Sequence, residues 1–138
     1  MDYTQTEYPW TAATATLRVR KDDLDPDAVT SRLGLRPTGS RVPGPDRWDP
    51  EGDEAGLWLL DVGSWPKQSL AEQLEKLSAI AEAHTDEFRA LIAEGCEVTV
   101  IAFGFTGGIA HLEISPECVR RFGAVGIPLH LDPSTNTR

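Results

Sequence analysis

One run of sequence limits the fold more than any other. From Ser69 to Gly95, Leu70, Leu74, Leu77, Ala81, Phe88, Leu91 and Ile92 recur at helical spacing. An apolar stripe of that kind must be buried against another element. Ser69 and Glu72 match a capping box at its start. As one helix, residues 69–94 would be about 39 Å long at 1.5 Å per residue. A seven-residue strand reaches only about 23 Å. The run is therefore either one rod or two helices broken near His84-Thr85-Asp86, with Thr85 or Asp86 as the new cap.

The partner surface for such a helix is found in the strands. "ATATLRVR", 13–20, alternates Ala13, Ala15, Leu17 and Val19 on one face with Thr14, Thr16, Arg18 and Arg20 on the other. "LWLLDV", 57–62, predicts a second strand. "CEVTVIAFGF", 96–105, is apolar at both parities and predicts a central strand. "TGG" then turns the chain and "IAHLEI" returns, so 96–114 is expected to be a hairpin. "IPLHL", 127–131, is the last expected strand.

Short helices are marked at both ends. Asp25-Pro26-Asp27 supplies a cap, a first-turn proline and a first-turn acid, and Gly34 closes the helix. Ser115-Pro116-Glu117 repeats the pattern, ending at Gly123 or Gly126. Each is expected directly after a strand, so the repeated punctuation reads as scaffold. Residues 36–56 hold four prolines and four glycines and predict a long loop. Taken together, the expectation is an α+β domain: a mainly antiparallel sheet of about five strands, helices on one face, ferredoxin-like or related. Residues 1–11 are expected to be a flexible N-terminus, 12–132 the domain, and 133–138 a flexible tail.

The 138 residues carry a formal net charge of -9, with a pI near 4.7. Phosphates would be repelled, which argues against nucleic acid or an anionic membrane as partner and favours a basic protein. No apolar run approaches the roughly 20 residues of a membrane span. "MDYTQTEYPW" lacks the basic and apolar regions of a signal peptide, so the expected location is the cytoplasm. Cys96 and Cys118 form no zinc spacing and are expected to be buried, reduced thiols.

No nucleophile elbow, P-loop, HExxH or dinucleotide fingerprint is present, and no catalytic residue, metal site or cofactor is expected. "DRWDPEGDEAGL" fails the calcium-loop pattern. Its Asp49, Glu51 and Asp53, with Trp48 among them, suit contact with a basic partner. Parity supplies a second candidate. If the strands share one sheet, its open face collects Arg18, Arg20, His111, Glu113 and His130 beside Thr99, Ile101 and Phe103. Apolar and ionisable groups mixed in this way suit recognition. The other reading of that face is a solvated surface with an Arg–Glu pair worth roughly 0.2–1 kcal/mol. Trp58 is expected in the core with its indole N–H bonded. Trp48 and Trp65 are either partner anchors or loop residues folded back on the domain.

"LRVRKDDLDPDAVTSRLGLRPT" at 17–38, "GLWLL" at 56–60, "GGIAHLEISPE" at 107–117 and "GIPLHLD" at 126–132 resemble the family called domain of unknown function 4279, widespread in bacteria. The resemblance covers roughly residues 15–132. "RVPGPDRW" and the terminal "DPSTNTR" depart from the family pattern. The family implies small intracellular proteins, some of them immunity proteins against toxins, and brings no catalytic residues. The reading is a non-enzymatic binding protein, an immunity-type neutraliser of a basic toxin or partner. The alternative is a small-molecule-binding domain or minor enzyme using the open sheet face, and a third reading is a subunit of a larger assembly.

Overall fold

The computed structural model describes residues 10–46, 49–63, 68–107 and 110–135, with the backbone alone for 45, 46 and 49–53. In chain order the elements are β1 (Thr11–Lys21), α1 (Pro26–Leu33), β2 (Gly39–Arg41), β3 (Gly44–Asp46), β4 (Asp49–Glu54), β5 (Gly56–Asp61), α2 (Leu70–Ala83), α3 (Thr85–Ala93), β6 (Glu97–Phe105), α4 (Pro116–Val125) and β7 (Leu129–Ser134). The main sheet runs β2-β5-β1-β6-β7, and β3-β4 form a separate two-stranded ribbon. The first three neighbouring pairs are antiparallel, and β6-β7 is parallel. The domain is thus α+β with a mainly antiparallel five-stranded sheet, as the patterning predicts. The parallel pair is a departure from a ferredoxin-like sheet.

Local signals set the helices as expected. The Asp25 carboxylate accepts from Asp27 N, the Ser69 hydroxyl from Glu72 N and the Ser115 hydroxyl from Cys118 N, each at 3.1 Å. Gly34 and Gly126 take the left-handed conformation that closes α1 and α4, at φ 68° and 91°. The long helical run breaks at His84, giving α2 a length of about 21 Å that matches the sheet. Neither Thr85 nor Asp86 recaps it. Instead the Thr85 hydroxyl bonds back to Glu82 O at 2.7 Å, and His84 Nδ1 donates to Ile80 O at 3.2 Å.

The core lies between the helices and one sheet face. Ala13, Ala15, Leu17 and Val19 of β1 are fully buried there, with Trp58, Val100 and Ala102, under Leu74, Leu77 and Phe88. Trp58 donates its indole N–H to the Thr30 hydroxyl at 3.0 Å. Both cysteines are buried and free.

Several expectations are corrected here. Residues 110–115 are not a strand, so 96–114 is no hairpin. A parallel neighbour for β6 requires a crossover, and residues 106–128 provide it with α4 inside. Ala110, Leu112 and Ile114 do pack on the core, so the alternation is real, but it lies outside the sheet ladder. For the same reason α4 does not directly follow a strand. The last strand is Leu129–Ser134 rather than 127–131, and Pro133 and Ser134 pair with Gly104 and Phe105, so the tail is not free from 133. At the other end Trp10 is buried and Thr11 pairs with Phe105, so the ordered chain starts before residue 12. The predicted loop 36–56 contains β2, β3 and β4. These carry no apolar alternation; β2 forms on an edge offered by β5, where Thr38 N bonds Leu59 O at 2.8 Å.

Candidate functional site

The helices occupy the face of Ala15, Leu17 and Val19, and the opposite face carries no helix among the described residues. Register places its side chains in rows. Leu57, Arg20 and Glu97 form one row, and Leu59, Arg18 and Thr99 the next. Asp61, Thr16, Ile101 and His130 follow, and then Thr14, Phe103 and Asp132. The parity argument is therefore correct for Arg18, Arg20, Thr99, Ile101, Phe103 and His130.

It fails for His111 and Glu113. Both are exposed on the crossover segment and line a different hollow, with Trp10, Ser69 and Leu70 at the start of α2. Sequence parity could not show this, because it assumes that an alternating segment is a strand. Trp48 and Trp65 lie outside the described residues. Asp49, Glu51 and Asp53 fall on β4, whose ribbon is tied to the β2 edge of the sheet by Arg41. That side chain bonds Ala55 O at 3.1 Å and lies 3.3 Å from Glu54.

Charge on the open face is partly paired among the described residues. Arg20 lies 3.4 Å from Glu97, the predicted cross-strand Arg–Glu pair, with Glu97 as its acid in place of the Glu113 that parity nominated. Thr16 donates to Asp61 at 2.6 Å. Arg18 has neither an ion pair nor a hydrogen bond among the described residues, and its Nε is buried without an acceptor. Phe103 and Phe105 meet edge to face at 5.4 Å, and Phe103 remains 42% exposed.

At the end of the face where β7 has not yet begun, a cleft of about 370 Å³ opens. Arg18, Thr99 and His130 line it, with Glu97, Val98 and Pro128. Ile92 and Cys96 close its helix side, where burial pushes the Cys96 thiol above its ordinary pKa. The cleft thus brings Arg18 and His130 together, as parity implies. Thr99 and Pro128 add walls that sequence reasoning did not single out as a pair. Among the described residues no three His, Cys, Asp or Glu side chains stand close enough to hold a metal ion. Nor is any described helix long and apolar enough to cross a membrane.

Gln73 was also hidden from the sequence reading. It is fully buried, and its side-chain amide accepts from Ala15 N at 2.8 Å and donates to Ala13 O at 3.0 Å. β5 ends opposite Thr16, so this amide takes the place of a neighbouring strand. Trp10 was hidden by a bulge: the β1 register shifts between Thr11 and Thr14, with Ala12 at φ 49°, which breaks the parity that would have included it.

Fold and surface together define a class: an α+β domain whose sheet is covered by helices on one face, with no described helix on the other. The chain belongs to the family described as Domain of unknown function (DUF4279), which matches residues 11–136. No curated protein and no solved structure matches it.

Proposed function

We propose that this domain is a binding protein acting in the cytoplasm, whose open sheet face docks a basic protein partner in the manner of an immunity-type neutraliser. The observation that carries the reading is Phe103, 42% exposed on a face that no described helix covers, with Phe105 and Ile101 beside it. An aromatic anchor flanked by polar groups is the usual centre of a protein interface. Net charge of -9 supplies the complementarity. It would speed and orient encounter with a cationic partner more than it would tighten the complex. Asp49, Glu51 and Asp53 on β4 add to that field from the β2 side.

The test is capture at low salt from the native cell, followed by kinetics on the purified pair. Reversing Asp49, Glu51 and Asp53 to Lys is expected to slow association, and Phe103→Ala to speed dissociation. A partner indifferent to salt and to all four changes would remove the reading.

A second reading is favoured by a separate observation, the unpaired Arg18 in its cleft. There the domain would bind a small molecule.

A further inference from the structure

The notch beside β6 has a definite hydrogen-bonding character. Val100 donates to Pro128 O at 3.0 Å, so even-numbered residues of β6 turn their main-chain groups toward β7. Strand alternation turns the Val98 N–H and C=O the same way. Yet β7 pairs only from Val100 onward, and Pro128, the next residue back, has no N–H to offer Val98 O. One donor and one acceptor of the main chain thus face the cleft where a strand would have been.

Beside them stand Arg18, unpaired and with a buried Nε, and Thr99, 5% exposed. A guanidinium N–H withdrawn from water without an acceptor is costly, and a planar carboxylate satisfies it in two parallel bonds. Ile92 and Pro128 give the cleft an apolar wall, and its 370 Å³ suits a molecule of modest size. The sign and number of charges narrow the ligand further. Glu97 sits on the rim, and the chain carries net -9. A dianionic phosphate would meet about twice the repulsion that a single carboxylate meets.

We infer that the Arg18 cleft binds a small monocarboxylate carrying an amide and an apolar side chain, as an N-acylated amino acid does. The carboxylate pairs with Arg18, the amide bonds the main chain of Val98 as an added strand would, and the apolar group lies on Ile92 and Pro128. This inference rests on the second reading above and names its ligand class.

The experiment is a nitrogen–proton NMR titration of the full chain with three probes: N-acetyl-leucine, its uncharged amide N-acetyl-leucinamide, and inorganic phosphate. The expected result is that N-acetyl-leucine moves the Arg18 Nε–H, Val98 and Thr99 signals. N-acetyl-leucinamide should bind at least about tenfold more weakly, as expected for loss of a charged hydrogen bond. Arg18→Gln should abolish that preference while leaving distant signals in place. Equal response to the acid and the amide overturns the carboxylate assignment but leaves small-molecule binding standing. A stronger response to phosphate overturns it as well. No movement of these signals with any probe removes both.

Discussion

At the scale of single residues, Gln73 shows how much one side chain can hold. Its amide closes the β1 edge where β5 stops, so removing it strands Ala15 N–H and Ala13 C=O inside the core. Each buried group left without a partner costs about 1–3 kcal/mol. Gln73→Leu should therefore lower the urea midpoint with little change in slope, which equilibrium denaturation reads directly. Capping residues such as Asp25, Ser69 and Ser115 were legible in the sequence, because a cap acts on its own neighbours. Gln73 was not, because its partners lie 58 and 60 positions away and a glutamine in a helix ordinarily points to solvent. Arg18 stands between these cases. Parity put it on the right face, but only the register shows that its neighbours are Leu59 and Thr99 and that Glu97, one row away, serves Arg20.

Between elements, charged clamps do the joining. Arg32 of α1 holds Glu94, just past α3, through two bonds of 2.7 and 2.8 Å. Across α2 and α4, Arg121 lies 3.5 Å from Glu82 and 3.4 Å from Glu117, while Arg120 pairs with both acids. Hydrogen bonds from Arg32 and Arg120 pull the Glu94 and Glu117 carboxyls below the ordinary carboxylate range. A lowered folded pKa gives a contribution present above the unfolded value and lost as pH falls through the folded one. Stability should thus decline on acidification, and Arg32→Gln should flatten part of that decline in urea midpoints measured across the acid range. Both carboxylates are exposed, so added salt should shrink the effect. Elements were legible wherever period and punctuation agreed, as in β1, α1, α2 and β6. The crossover segment was misread because 110–114 has the period of a strand without a strand's neighbours. β2–β4 were missed because their pairing is set by an available edge and by each other.

For the whole molecule, the two thiols report on different depths. Cys118 is fully buried under α2, its Sγ 3.5 Å from Leu74 O, and burial raises its pKa. Cys96 is nearly as buried but borders the cleft. Iodoacetamide should label Cys96 first, and Cys118 only at the rate of global opening, with urea accelerating the second step. Equal labelling rates would contradict the packing of α4 on α2. The class of the fold was legible from patterning summed over the chain. The site was legible in half, because strand order decides which outward-facing residues become neighbours. That order also governs how the chain can assemble. β1 finds its central partner in β6, with pairs such as Arg20–Glu97 and Thr11–Phe105 separated by 77 and 94 positions. Loop closure over such distances is slow compared with forming helices. During synthesis, the middle of the sheet must wait until Phe105 has left the ribosome, with β1 meanwhile offering an unpaired edge to whatever it meets.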